Sequence, residues 1–159
     1  MLLLWLAYPL ILIAVAAAVW WWVRRGAALD RRSGREAAAA RDDFARNLPM
    51  LADRFLGVAS RSGKPRGLRW VGCQPQAPPT LFARDAKTGE LYALHAVEIR
   101  FEAVEGGDME EVEAVGNVRA ATAVFVWRGG RWDTDGRVVF NLDPAETLQR
   151  FAATLTPCP

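Results

Sequence analysis

Glu102, Glu105, Asp108, Glu110, Glu111 and Glu113 crowd into one stretch, RFEAVEGGDMEEVEAVGNVR, punctuated by Gly106-Gly107 and Gly116-Asn117. Carboxylates at that density are the chemistry of a hard-cation site or of a surface that docks a basic partner. A calcium loop needs the pattern D-x-[DN]-x-[DN]-G and a bidentate Glu at its twelfth position, and the stretch has neither. No His or Cys stands close enough in sequence to complete a transition-metal set. The spacing fits a connection better. Asp108 with Glu111 three residues on reads as a capping box with Asp as the N-cap. Met109, Val112 and Val115 recur at helical intervals, and Gly116 suits the position just past a helix end. The expectation is a helix of about two turns crossing between strands, its carboxylates set against the positive end of the helix dipole. A docking face built from Glu105, Asp108, Glu110, Glu111 and Glu113 is the functional reading that stands beside it.

Other chemistry is thinner. His95 is the single histidine, on the apolar face of an alternating stretch, and reads as a core residue with its ring nitrogens satisfied locally. The serines, Ser33, Ser60 and Ser62, all fall in or near an N-terminal helical segment and none sits in a G-x-S-x-G elbow. GVASRSGKPRG resembles a phosphate loop only at first sight. Five residues rather than four separate Gly57 from Gly63, and Pro65 follows Lys64 where Ser or Thr should hold magnesium. Arg61, Lys64, Arg66 and Arg69 beside Trp70, and the WRGGRW stretch, are weak grounds for nucleic acid in a chain of net charge +2. Glu98 and Glu102 with Arg100 share one strand face, which a half-exposed strand gives by default. The expectation is therefore no enzyme, no cofactor, no metal and no nucleic-acid partner.

The elements that must carry any site begin with Leu2 to Val23, which contain no charged side chain. About 20 apolar residues span a bilayer as a helix. Trp5 and Tyr8 lie near one end and Trp20, Trp21 and Trp22 close the other, as interfacial aromatics do. A cleaved signal peptide would want a basic start and a shorter core. The expected organisation is a transmembrane anchor over residues 1–24, a juxtamembrane linker over 25–40 and a soluble domain over 41–159. Arg24, Arg25, Arg31, Arg32 and Arg35 follow the apolar run, which predicts a single-pass anchor with the domain in the cytoplasm. Cys73 and Cys158 lack metal-motif spacing and read as free thiols there.

Within the domain, Phe44, Leu48, Leu51 and Phe55 form one apolar helical stripe, with Pro49 expected to kink the helix or to start a second one. GLRWVGC and TLFARD read as strands. ELYALHAVEIRFEAV alternates, with Leu91, Ala93, His95, Val97, Ile99, Phe101 and Ala103 on one face and Leu94 and Ala96 as exceptions on the other. ATAVFVWRGGRW is a hairpin around Gly129-Gly130 that pairs Trp127 with Trp132. DTDG precedes a strand RVVFNL. Asp143-Pro144 then opens a final helix that packs through Leu148, Phe151 and Leu155.

The fold class is α+β: an N-terminal transmembrane helix, then a small domain with a curved antiparallel sheet packed by helices on one face. The layout is similar to helix-plus-curved-sheet folds of the cystatin or nuclear-transport-factor type, a likeness of layout that implies no function. The expected role is a protein-interaction or structural module at the membrane surface. The alternative is a small-molecule or lipid-binding domain with an apolar pocket and Trp70, Tyr92 and His95 as its polar handles. The sequence names neither a partner nor an oligomeric state.

Overall fold

The computed structural model describes the backbone of residues 2–62, 67–77, 79–107, 109–110 and 116–158 and, within the first helix, the side chains of residues 20–22, 24 and 34–62. The chain divides into two units, Met1–Ala39 and Ala40–Pro159. Helix α1 (Leu2–Ser62) begins in the first and ends in the second. In the first unit the backbone is helical from Leu2 onward, including the stretch expected as a linker. Among the described residues no helix is long and apolar enough to cross a membrane. The expected span, Leu2–Val23, rests mostly on side chains outside the described residues.

The second unit is a small α+β domain, an antiparallel sheet with helices. Its part of α1 carries the expected stripe: Phe44, Leu51 and Phe55 are buried. Pro49 does not divide the helix. Pro49 and Ala45 are both exposed, so the Ala45 carbonyl that loses its N–H partner can turn to water.

The strands are β1 (Leu68–Pro75), β2 (Leu81–Asp85), β3 (Leu91–Ala103), β4 (Arg119–Arg128), β5 (Arg131–Asp133), β6 (Val138–Phe140) and β7 (Leu155–Pro157), with α2 (Pro144–Arg150) before the last. They order as β5-β4-β3-β2-β7, with β1 also on β3 and β6 also on β4. Two strands are shared lanes. One edge of β3 takes β2 along Leu91–Leu94 and β1 along Val97–Ala103. One edge of β4 takes β6 along Ala121–Ala123 and β5 along Val126–Arg128. The β4–β5 hairpin turns on Gly129 and Gly130 at φ 58° and 78°, the two positive values a primed turn requires. Trp127 and Trp132 then pair with ring centroids 5.4 Å apart.

The helices do not share a face of the sheet, as had been expected. Phe44 of α1 meets Phe82, His95, Phe125 and Trp132, the odd-numbered face of β3 by register. The segment around α2 covers the other face, where Thr122 donates its hydroxyl to the Leu142 carbonyl at 2.8 Å. The reason lies in Leu94 and in Ala121–Val126, buried without a break. A strand apolar on both sides needs cover on both.

The last segment also differs. Asp143 and Glu146 form a full capping box, with Glu146 N–H donating to Asp143 Oδ1 at 2.8 Å and Asp143 N–H to Glu146 Oε2 at 2.9 Å. The helix stops at Arg150, and Leu155 belongs to β7, paired with Asp85. Pro144 and Thr147 are its buried residues, and Phe151 is exposed.

Candidate functional site

Trp70, Tyr92 and His95, expected to share a pocket, do not converge. Tyr92 and His95 lie three apart on β3, so strand alternation sends them to opposite faces. Trp70, on β1, stacks edge-on against Phe101 at 4.8 Å and joins Phe140 in a separate aromatic cluster.

His95 is 1% exposed and faces α1. Its Nδ1 lies 2.8 Å from Thr80 Oγ1, and its Nε2 has no hydrogen-bond partner among the described residues. Burial pushes the imidazole below its ordinary pKa, with the Gln76 backbone pulling the other way. A ring held neutral in the fold takes up a proton more readily once unfolded. Between the ordinary value, about 6.5, and the depressed folded value, the unfolded state therefore binds more protons, and stability falls as pH falls. Urea titrations from about pH 7.5 to 5.5 should show the midpoint dropping in the native chain and staying flatter in His95→Gln. Parallel curves for the two proteins would remove His95 as the cause.

Of the acidic segment, Glu105 and Glu110 are described and exposed. Glu110 Oε2 accepts from the Gly106 N–H at 2.8 Å, so this carboxylate closes its own loop. Met109 and Glu110 sit in a turn; Asp108, Glu111, Glu113 and most of the expected short helix lie outside the described residues. Glu102 pairs across the sheet with Arg69 at 2.6 Å, both well exposed, rather than joining Glu98 as a second carboxylate. Among the described residues no three His, Cys, Asp or Glu side chains gather as a metal set. Cys73 and Cys158 are free thiols. Burial, reinforced by the Asp53 charge, pushes the Cys73 thiol up to about 11, leaving it protonated and a poor nucleophile at neutral pH.

One cavity of about 100 Å³ lies between the α2 segment and the even-numbered face of β3. Leu94, Val124, Val139, Phe151 and Leu155 give it an apolar lining. Asp85, Tyr92, Arg137, Thr147 and Thr154 supply the polar groups. The Tyr92 hydroxyl donates to Glu90 Oε2 at 3.1 Å, and burial followed by that carboxylate raises its pKa. Thr147 is 1% exposed, and its hydroxyl has no partner among the described residues. Of these residues, sequence reasoning singled out only Tyr92 for a site. Leu94 as an apolar exception on the polar face of β3 was the signal for the rest.

No family model, curated protein or solved structure matches the chain, and the likeness of layout to cystatin-type folds carries no argument.

Proposed function

We propose that this chain is a single-pass membrane-anchored protein whose small α+β domain works as a protein-interaction or structural module at the membrane surface. The observation that carries the reading is Trp20-Trp21-Trp22, exposed by 58%, 55% and 77%. Successive helix residues point about 100° apart, so no single packed neighbour could cover all three rings. At a bilayer interface the same rings are favoured on every side, apolar body inward and N–H outward. They close the uncharged run Leu2–Val23. Arg24, which opens the basic flank, holds its guanidinium 4.1 Å from the Trp20 ring centroid. Five arginines within Arg24–Arg35 favour a cytoplasmic domain. In this reading the sheet is curved, which the β-bulge leaving Val71 unpaired favours. Confinement to a surface lets a weak contact suffice for a membrane-bound protein partner; exposed Glu105 and Glu110 are the described part of the acidic docking face. No catalytic step is assigned.

Alkaline carbonate extraction of membranes carrying the full chain tests the anchor. The chain should stay in the pellet, and Ile11→Arg with Ile13→Arg should move it to the supernatant, each arginine costing about 2.5–3.5 kcal/mol at mid-bilayer. Release of the native chain into the supernatant would end the reading. An epitope at the C-terminus should resist protease added to intact cells, and its digestion would reverse the orientation.

A further inference from the structure

The cavity beneath α2 has a chemistry of its own. We infer that it binds a short-chain aliphatic carboxylate, with the alkyl body against Leu94, Val124 and Val139 and the carboxylate on Arg137. Three observations carry this, and none depends on the membrane reading.

The first is size. An apolar cavity of about 150 Å³ accepts benzene, so about 100 Å³ suits an alkyl body of about three to five carbons. The second is the lining, apolar over most of its area with Asp85, Arg137, Thr147 and Thr154 as its polar residues, a surface that methylenes fill well. The third is charge. Arg54, Arg69 and Arg128 each hold a carboxylate partner, whereas Arg137 is exposed and has no ion pair among the described residues. Its charge is felt at Tyr92, on the same cavity. Two carboxylates, Asp85 on the lining itself and Glu90 on Tyr92, are held by other donors. Asp85 Oδ1 accepts from the Lys87 and Thr88 N–H groups, each at 2.8 Å. Glu90 accepts from Tyr92 and Arg128. Arg137 is the arginine on the cavity lining, where its guanidinium selects an anion, and the Thr147 hydroxyl on the wall is a further donor with no partner among the described residues.

The test titrates the full chain in nanodiscs with sodium acetate, propionate, butyrate and octanoate, following the methyl resonances of Leu94, Val124 and Val139. Butyrate should give saturable shifts at those methyls. Affinity should rise about fourfold per added methylene up to butyrate and fall again at octanoate, too long for the space. Arg137→Gln, an exposed change that leaves the core intact, should weaken butyrate about tenfold or more. n-Butylamine should bind far more weakly than butyrate. Val139→Phe should fill the space and abolish the shifts. The inference is overturned if butyrate leaves the three methyls unmoved, if butylamine binds as well as butyrate, or if Arg137→Gln binds like the native chain.

Discussion

Replacing Phe44 with alanine should cost about 3–5 kcal/mol of unfolding free energy, the usual range for truncating a buried aromatic. Phe44 is 2% exposed. Its ring reaches Trp132 at 5.1 Å, Phe125 at 5.3 Å, His95 at 5.8 Å and Phe82 at 5.9 Å between centroids. Those four partners stand on β5, β4, β3 and β2, so one helix side chain ties α1 to four strands. Its loss leaves a cavity that no single neighbour can close, and residual cavity volume raises the cost of such truncations. The Trp132 indole N–H, which donates to the Ala40 carbonyl at 2.7 Å, packs against the same ring and would lose its support. A domain of this size has about 5–15 kcal/mol in total, so the variant should lose a large share of its stability. Urea titration of the full chain measures it. Met50→Ala, on the exposed side of the same helix, should change the unfolding free energy by less than about 0.5 kcal/mol. A loss below about 1 kcal/mol for Phe44→Ala would mean that α1 does not hold the sheet through this residue.

The sequence was legible where the physics is local. Alternation along Leu91–Ala103, two glycines at the β4–β5 turn and the Asp143 N-cap with Pro144 after it each depend on neighbours within a few positions, and each forms. The helical stripe of Phe44, Leu51 and Phe55 was readable for the same reason. What escaped depends on partners far along the chain. Leu94 and Ala96 looked like lapses in a pattern. They mark a second covered face, and only the return of residues 141–158 says what covers it. The strand Leu155–Pro157 is three residues long and holds a proline, too short for periodicity to register. The pocket trio failed differently. The odd spacing of Tyr92 and His95 already placed them on opposite faces, and Trp70 is fixed by register with Phe101 rather than by any motif. The cavity draws on five strands and two connecting segments besides α2, a juxtaposition that no short window of sequence contains.

Gly136→Ala should cost on the order of 3 kcal/mol or more, out of proportion to a single methyl group. Two separate terms contribute. Gly136 holds φ 72°, in the left-handed region where a side chain costs roughly 1–2 kcal/mol. An alanine Cβ there would also stand 2.8 Å from the Ala59 nitrogen and 2.9 Å from its Cα. Those atoms are helix backbone, which cannot rotate aside, so α1 or the loop must shift, and forced overpacking adds about 1–3 kcal/mol. The loop has little room to yield. The Gly136 N–H donates to Thr134 Oγ1 at 3.0 Å, the Thr134 hydroxyl donates to the Val124 carbonyl at 3.0 Å, and the Val124 N–H donates to the Arg137 carbonyl at 3.0 Å. Thr134–Arg137 is also where the chain leaves β5 for β6 along the same edge of β4. Pushing it from the helix would loosen both pairings. Gly129→Ala separates the two terms, because Gly129 has φ 58° with nothing within 4 Å of the added Cβ. It should lose only the backbone part, about 1–2 kcal/mol. The difference between the two variants, read from urea midpoints of the full chain, measures how tightly α1 lies on the loop. Equal losses would show that the close approach of Gly136 to Ala59 is not a constraint and that backbone conformation alone selects glycine at this position.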